Sequence, residues 1–75
     1  MLTDLHPIAK FRLAQSPQET QDSLGEKIGV DGMTISRWER RESLPQKRNW
    51  QKLEDITGIS IAEIIAAGTR HEAAQ

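Results

Sequence analysis

Thr20-Gln21-Asp22-Ser23-Leu24-Gly25-Glu26-Lys27-Ile28-Gly29-Val30-Asp31-Gly32-Met33-Thr34-Ile35-Ser36-Arg37-Trp38-Glu39-Arg40 is the stretch that decides how this 75-residue chain folds. At about 100° per residue, Leu24, Gly25 and Ile28 share one helical face with Gln21 at its edge, while Asp22 and Glu26 project from the other side. Gly29 follows at once and is the residue type that ends a helix in the left-handed conformation. Asp31 is an N-cap residue for a second helix reaching about Arg41, whose apolar stripe is Ile35 and Trp38. Two short helices crossing steeply around a tight turn need a very small residue where they approach, and Gly25 supplies it. Glycine costs about 1 kcal/mol in a helix interior, so close packing explains it better than propensity does. On this reading Gly25→Ala is expected to be tolerated or stabilising, and Gly25→Leu to be disruptive.

Outward from this stretch the helical signals continue. Leu5, Ile8 and Phe11 sit three apart and predict a first helix from near Pro7, with His6 at or before its cap. Ser16-Pro17-Gln18-Glu19 has the form of a capping box with proline at the first helical position, and Thr20 offers a second start one turn later. Past Leu44-Pro45, a fourth helix carries Trp50, Leu53 and Ile56 on one face and ends at Gly58. Ser60-Ile61-Ala62-Glu63 is another capping box, opening a fifth helix with Ile61, Ile64 and Ile65 inward and Gly68 as its stop. Strand signals are weak, and there is no internal repeat or low-complexity tract. The expected organisation is an all-α domain over 5–67, with 68–75 fraying.

Composition narrows the function. There is no cysteine, which excludes disulfides and thiolate metal sites. His6 and His71 have no metal-ligand company, so no metal or cofactor is expected. No run approaches the roughly 18 apolar residues of a membrane span, and the first residues do not form a signal peptide, so a cytoplasmic protein is expected. The serines lack a nearby histidine–acid pairing, no phosphate-binding glycine loop is present, and no enzyme is expected. The net charge is −1, but it is unevenly spread. Arg37, Arg40, Arg41, Lys47, Arg48 and Lys52 stand against only Glu39 and Glu42 between Arg37 and Lys52, while the remainder has four basic and nine acidic residues. A basic segment on an acidic body suits a directional electrostatic contact; the bland reading is a solvated helix surface.

The Thr20–Arg40 stretch resembles the lambda-repressor-like helix-turn-helix domains of the Cro and XRE type. Leu44 through Gly58 to Ile65 is similar to that family's fourth and fifth helices, so the resemblance covers roughly Leu5 to Ala67. Three departures stand out. The link from Arg12 to Gln21 is about two residues longer than is common in the family. Gly25 stands where alanine is usual. Arg41 stands where glycine is frequent.

The resemblance implies a five-helix DNA-binding domain whose third helix enters the major groove. With Ile35 and Trp38 inward, Met33, Ser36, Arg37 and Arg40 point outward. Arg37 is the leading base reader, because its fork donates two hydrogen bonds to guanine O6 and N7. Met33 would pack on a thymine methyl, Ser36 would meet a base or a phosphate, and Gly32 would permit close backbone approach. Gln21 matches the family's phosphate-binding position at the second helix's N-terminus. Arg40, Arg41, Lys47 and Arg48 are further phosphate candidates, which position without reading sequence. Trp38 and Trp50 lie on apolar stripes and are expected in the core rather than as stacking platforms.

The function these expectations describe is a sequence-specific double-stranded DNA-binding transcriptional regulator. A Cro-like phage or prophage repressor, a homodimer on a two-fold operator with no small-molecule effector, suits a chain of this size. The dimer contact is expected near Ile59 and the fifth helix. The alternative is an antitoxin-like interaction module that masks a partner protein with its helical surface.

Overall fold

The computed structural model describes residues 5–73, with side chains described as far as residue 68. Five helices follow in order: α1 (Pro7–Ala14), α2 (Gln21–Ile28), α3 (Gly32–Glu39), α4 (Lys47–Thr57) and α5 (Ile61–Ala73). The fold is all-α, and there is no strand among the described residues. No helix among them is long and apolar enough to cross a membrane.

One core joins every helix. Ile8, Leu24, Ile28, Ile35, Trp38, Leu53 and Ile64 form it, with Phe11, Val30, Ile56, Ile59 and Ile61 packed around the edge. Burying side chains of this size contributes about 1.5–3 kcal/mol each, so a cluster this small leaves little to spare. Trp38 lies in the core at 3% exposure. Trp50 stops at its margin, half-buried, with its indole N–H donated to the Pro45 carbonyl at 3.0 Å.

Local chemistry sets most helix boundaries. His6 caps α1: its Nδ1 accepts the Ile8 N–H at 3.1 Å, and Pro7 occupies the first turn. His6 itself turns into the interior, and Leu5 before it is left 50% exposed, so Leu5 does not share the inward stripe of Ile8. The stripe's spacing misleads there because Leu5 lies outside the helix. Asp31 caps α3 through Oδ1, which accepts the Thr34 N–H at 2.9 Å and the Thr34 hydroxyl at 2.7 Å. Gly29 and Gly58 end α2 and α4 with φ of 102° and 74°, the left-handed region that glycine enters freely. Ser60 and Glu54 open α5, Ser60 Oγ accepting from Glu63 N–H at 3.2 Å and Glu54 Oε2 from Ile61 N–H at 2.7 Å.

One boundary is decided between the two starts that the sequence offers, and another moves. α2 starts after Thr20, whose Oγ1 accepts the Ser23 N–H at 3.0 Å, and not at Ser16. The stretch before it folds back on α1: the Glu19 N–H reaches the Arg12 carbonyl at 3.1 Å. Glu19 is not a capping-box partner either. Its carboxylate is buried and accepts from Ser23 Oγ at 2.8 Å and Lys27 Nζ at 2.7 Å, which together hold it below the usual carboxylate range. At the other end, α5 runs through Gly68 to Ala73. The Leu44 side chain lies directly on Gly68, in the space a Cβ would fill, so this glycine serves close packing and not termination. Of the stretch 68–75, residues 74–75 lie outside the described residues, as do residues 1–4 and the side chain of His71.

The turn between α2 and α3 is tighter than a helix crossing alone requires. The N–H groups of Gly29 and Val30 both donate to the Gly25 carbonyl, at 2.7 and 2.8 Å. A Cβ on Gly25 would lie 2.6 Å from the Val30 carbonyl oxygen and 3.1 Å from Asp31 backbone atoms. Gly25 therefore faces the backbone of the turn, which cannot swing aside as a side chain can. This overturns the expectation that alanine fits there.

Candidate nucleic-acid interface

The face of α3 opposite Ile35 and Trp38 is open. Met33 is 55% exposed, Arg37 is exposed, and Ser36 is half-buried between them. Arg37 lies within electrostatic reach of the Asp31 carboxylate. That carboxylate is held below its usual range by the Thr34 hydroxyl first, then the Thr34 N–H, with Arg37 adding a smaller attraction. The start of α3 thus keeps an ionised cap while presenting a thioether and a guanidinium outward, the donors and apolar contacts that major-groove edges accept.

A second group of cations lies beside it. Arg40 follows α3, exposed, with a long 3.4 Å contact to Glu42. Lys47 and Arg48 occupy the first turn of α4, both exposed, and Gln46 gives that turn no side-chain cap. Cations at a helix N-terminus oppose the helix dipole, whereas an anion there would be favoured by both the dipole and the cations. A groove of about 240 Å³ runs between α3 and this turn, bordered by Thr34 and Trp38 on one side and Gln46, Arg48 and Asn49 on the other. Arg48 therefore stands beside α3, as a backbone-positioning contact requires.

Two of the expected contact residues, Gly32 and Arg41, are placed otherwise, and a third, Gln21, has a partner inside the protein. Gly32 is buried against α2: a Cβ there would collide with the Asp22 carboxylate and come within 3.1 Å of the Asp22 nitrogen. It faces inward and is not on the exposed face of α3, because the first turn of α3 rests on the first turn of α2. Arg41 is half-buried, and its Nε donates to the Ala67 carbonyl of α5 at 3.0 Å. Its φ of +63° turns the chain sharply out of α3 at the position where the family often carries glycine, and this turn aims the side chain at α5 instead of outward. Gln21 keeps its place at the start of α2, but its side-chain Nε2 is donated to Glu39 Oε1 at 2.9 Å. Glu39 holds one of the two amide hydrogens, which leaves the other, with the first main-chain N–H groups of α2, to meet a phosphate.

Glu39 is the residue that the sequence alone did not single out. It gathers Gln21 from α2 and Arg12 from α1 onto the last residue of α3. Arg12 Nη1 also donates to the Glu19 carbonyl at 3.1 Å, and the Glu39 carboxylate raises the Arg12 guanidinium further above its ordinary value. No short-range pattern announces a pair separated by 27 residues. The only hint was a carboxylate next to Trp38, the single acid of α3.

Comparison with known proteins agrees with this geometry. A family model described as helix-turn-helix matches residues 20–64, which is more than half of the chain. No curated protein and no solved structure matches. The matched span contains the Gly25–Gly29 turn, the α3 face and the basic first turn of α4. The chain belongs to the Cro/C1-type helix-turn-helix family, whose members are DNA-binding transcription regulators.

Proposed function

We propose that this chain is a sequence-specific regulator of the Cro-like phage or prophage repressor kind, acting as a homodimer on a two-fold operator in the cytoplasm. Met33, Ser36 and Arg37 read base edges, with Arg37 directed at guanine. Arg40, Lys47, Arg48 and the N-terminal N–H groups of α2 hold phosphates. The observation carrying this reading is an exposed Met33–Arg37 face on α3 beside an uncapped, doubly basic start of α4, whose Arg48 borders the same groove as Thr34 and Trp38 of α3. The two features serve different tasks, reading and positioning, and a merely solvated helix needs neither in that arrangement.

The test is selection of duplexes from a random pool with the purified chain, followed by footprinting of the winners at moderate salt. A two-fold consensus, with half-sites about 10 base pairs apart, supports the reading. Recovery of no preferred sequence, together with co-purification of a partner protein, would support the antitoxin-like alternative instead.

A further inference from the structure

Residues 40–46 join α3 to α4, and both ends of this link are anchored in the helices they connect. The Glu42 N–H is donated to the Arg37 carbonyl at 2.9 Å, and the Pro45 carbonyl accepts the Trp50 indole N–H at 3.0 Å. A third element holds the middle. Arg41 Nε donates to the Ala67 carbonyl of α5 at 3.0 Å, and the Leu44 side chain lies over Gly68. Ala67 and Gly68 are adjacent, so both contacts meet one spot on α5. Leu44 also borders the groove in which Arg48 stands beside Thr34 and Trp38 of α3. One side chain is therefore shared by the contact with α5 and the surroundings of the basic α4 start. Arginine takes the φ of +63° at position 41 against its own Cβ, whereas glycine would enter it freely. A sharp turn alone is better served by glycine; what arginine adds is the tether to α5.

We propose that Arg41 and Leu44 are positioning residues for DNA binding, which clasp the α3–α4 link to α5 and so set where Lys47 and Arg48 stand relative to Met33 and Arg37; this rests on the reading of Lys47 and Arg48 as phosphate contacts. Neither positioning residue touches DNA. Phosphate contacts fix the register of a protein on the duplex, so cations on α4 serve a base reader on α3 only at a set spacing from it. An irregular link by itself allows the α4 start more than one spacing, and the two contacts with α5 select one. The hydrogen bond supplies direction, and Leu44 supplies burial against a helix surface that lacks a Cβ. The second half of α5 thereby acts on the DNA-facing side of the molecule through the link alone.

Two readouts test this on Arg41→Gly, which keeps the left-handed turn but loses the tether, and on Leu44→Ala, which changes no charge. The first is made on the free chain. It has no native cysteine, so spin labels at Met33→Cys and Lys47→Cys report the spacing of α3 and the α4 start. The distance distribution should broaden or shift in both variants. The second is binding of the unlabelled chain to selected and scrambled duplexes. Each variant should weaken both about fivefold and leave the preferred sequence unchanged. In a Lys47→Ala/Arg48→Ala background the same substitutions should cost less than about twofold, because the contacts they position are gone. A merely structural role, or loss of the Arg41 charge alone, would cost equal factors in both backgrounds and would overturn the proposal. So would an unchanged label distance in either variant. If the chain binds no duplex, or Lys47→Ala/Arg48→Ala binds as wild type does, the phosphate reading fails, and the label distances still decide whether α5 sets the spacing.

Discussion

Arg12 and Glu39 face each other in a two-pronged ion pair, Nε to Oε2 at 2.6 Å and Nη2 to Oε1 at 2.9 Å, with side chains only 14% and 8% exposed. The pair ties α1 to the last residue of α3, and through Gln21 it also holds the start of α2. One carboxylate thus adds a polar tie among α1, α2 and α3 to the apolar core that joins them.

Removing one partner leaves the other charge poorly solvated. Arg12→Ala and Glu39→Ala should each destabilise by about 1–3 kcal/mol, between the scales for exposed and fully buried pairs, because this pair is part-buried. Arg12→Met with Glu39→Leu should lose less than the two single losses combined, since no orphan charge remains. Urea midpoints of the four proteins measure this. Single variants within about 0.5 kcal/mol of wild type would show that the pair is ornamental, as surface pairs often are.

Gly25 sets a competition between helix propensity and contact. Alanine gains about 1 kcal/mol of propensity over glycine, but overpacking against rigid surroundings costs about 1–3 kcal/mol. With the Val30 carbonyl 2.6 Å from the new Cβ, the steric cost should win. Gly25→Ala should lower thermal stability, and Gly25→Leu should lower it much further. An alanine variant that melts higher than wild type would show that the turn relaxes without cost.

How far the sequence reveals the fold depends on whether a signal is local. The caps at Thr20 and Asp31, the turn at Gly29, the stop at Gly58 and the stripe of Ile35 and Trp38 depend on neighbours within one or two turns, and each is legible. Gly25 is legible as a close approach, but not what it approaches, because that depends on how the turn folds over. Gly68 reads as a stop until Leu44 is seen lying on it. Arg41 reads as a surface cation until its left-handed backbone turns it towards Ala67. On the outward face of α3, the exposure of Met33 and Arg37 follows from helical angle alone. The burial of Gly32 does not, since the helix's first turn is the part that touches α2.

His6 makes stability depend on pH. Burial first, and then the positive Arg41, lower its pKa from 6.5 to about 4, against a smaller opposing pull from Glu39. The folded state thus keeps the imidazole neutral, with Nδ1 accepting from Ile8, while the unfolded chain takes up a proton near pH 6.5. Its contribution is fully present above about pH 6.5 and declines as pH falls towards about 4, by up to about 3 kcal/mol. His6→Asn retains a side-chain acceptor for the cap but cannot titrate, so it should flatten the stability profile between pH 4 and 6.5 relative to wild type. Parallel profiles for the two proteins across that range would mean that His6 protonates in the folded state without penalty.

Reading and positioning can be separated by two arginines. Arg37 is exposed on the outer face of α3, one turn beyond Met33, and is the proposed reader of a guanine edge. Arg48 lies in the first turn of α4, across the groove from Thr34, and is the proposed phosphate contact. Arg37→Ala should cost about 1–3 kcal/mol on the selected site and relax the preference at one base pair per half-site. Its binding to scrambled duplexes should change comparatively little. Arg48→Ala should weaken all sequences alike and flatten the salt dependence by about one counterion per subunit. Salt titrations of both variants on selected and scrambled duplexes distinguish the roles. If Arg37→Ala weakens both duplexes equally and leaves the preferred sequence unchanged, Arg37 is a phosphate contact, and the reading falls to Met33 and Ser36.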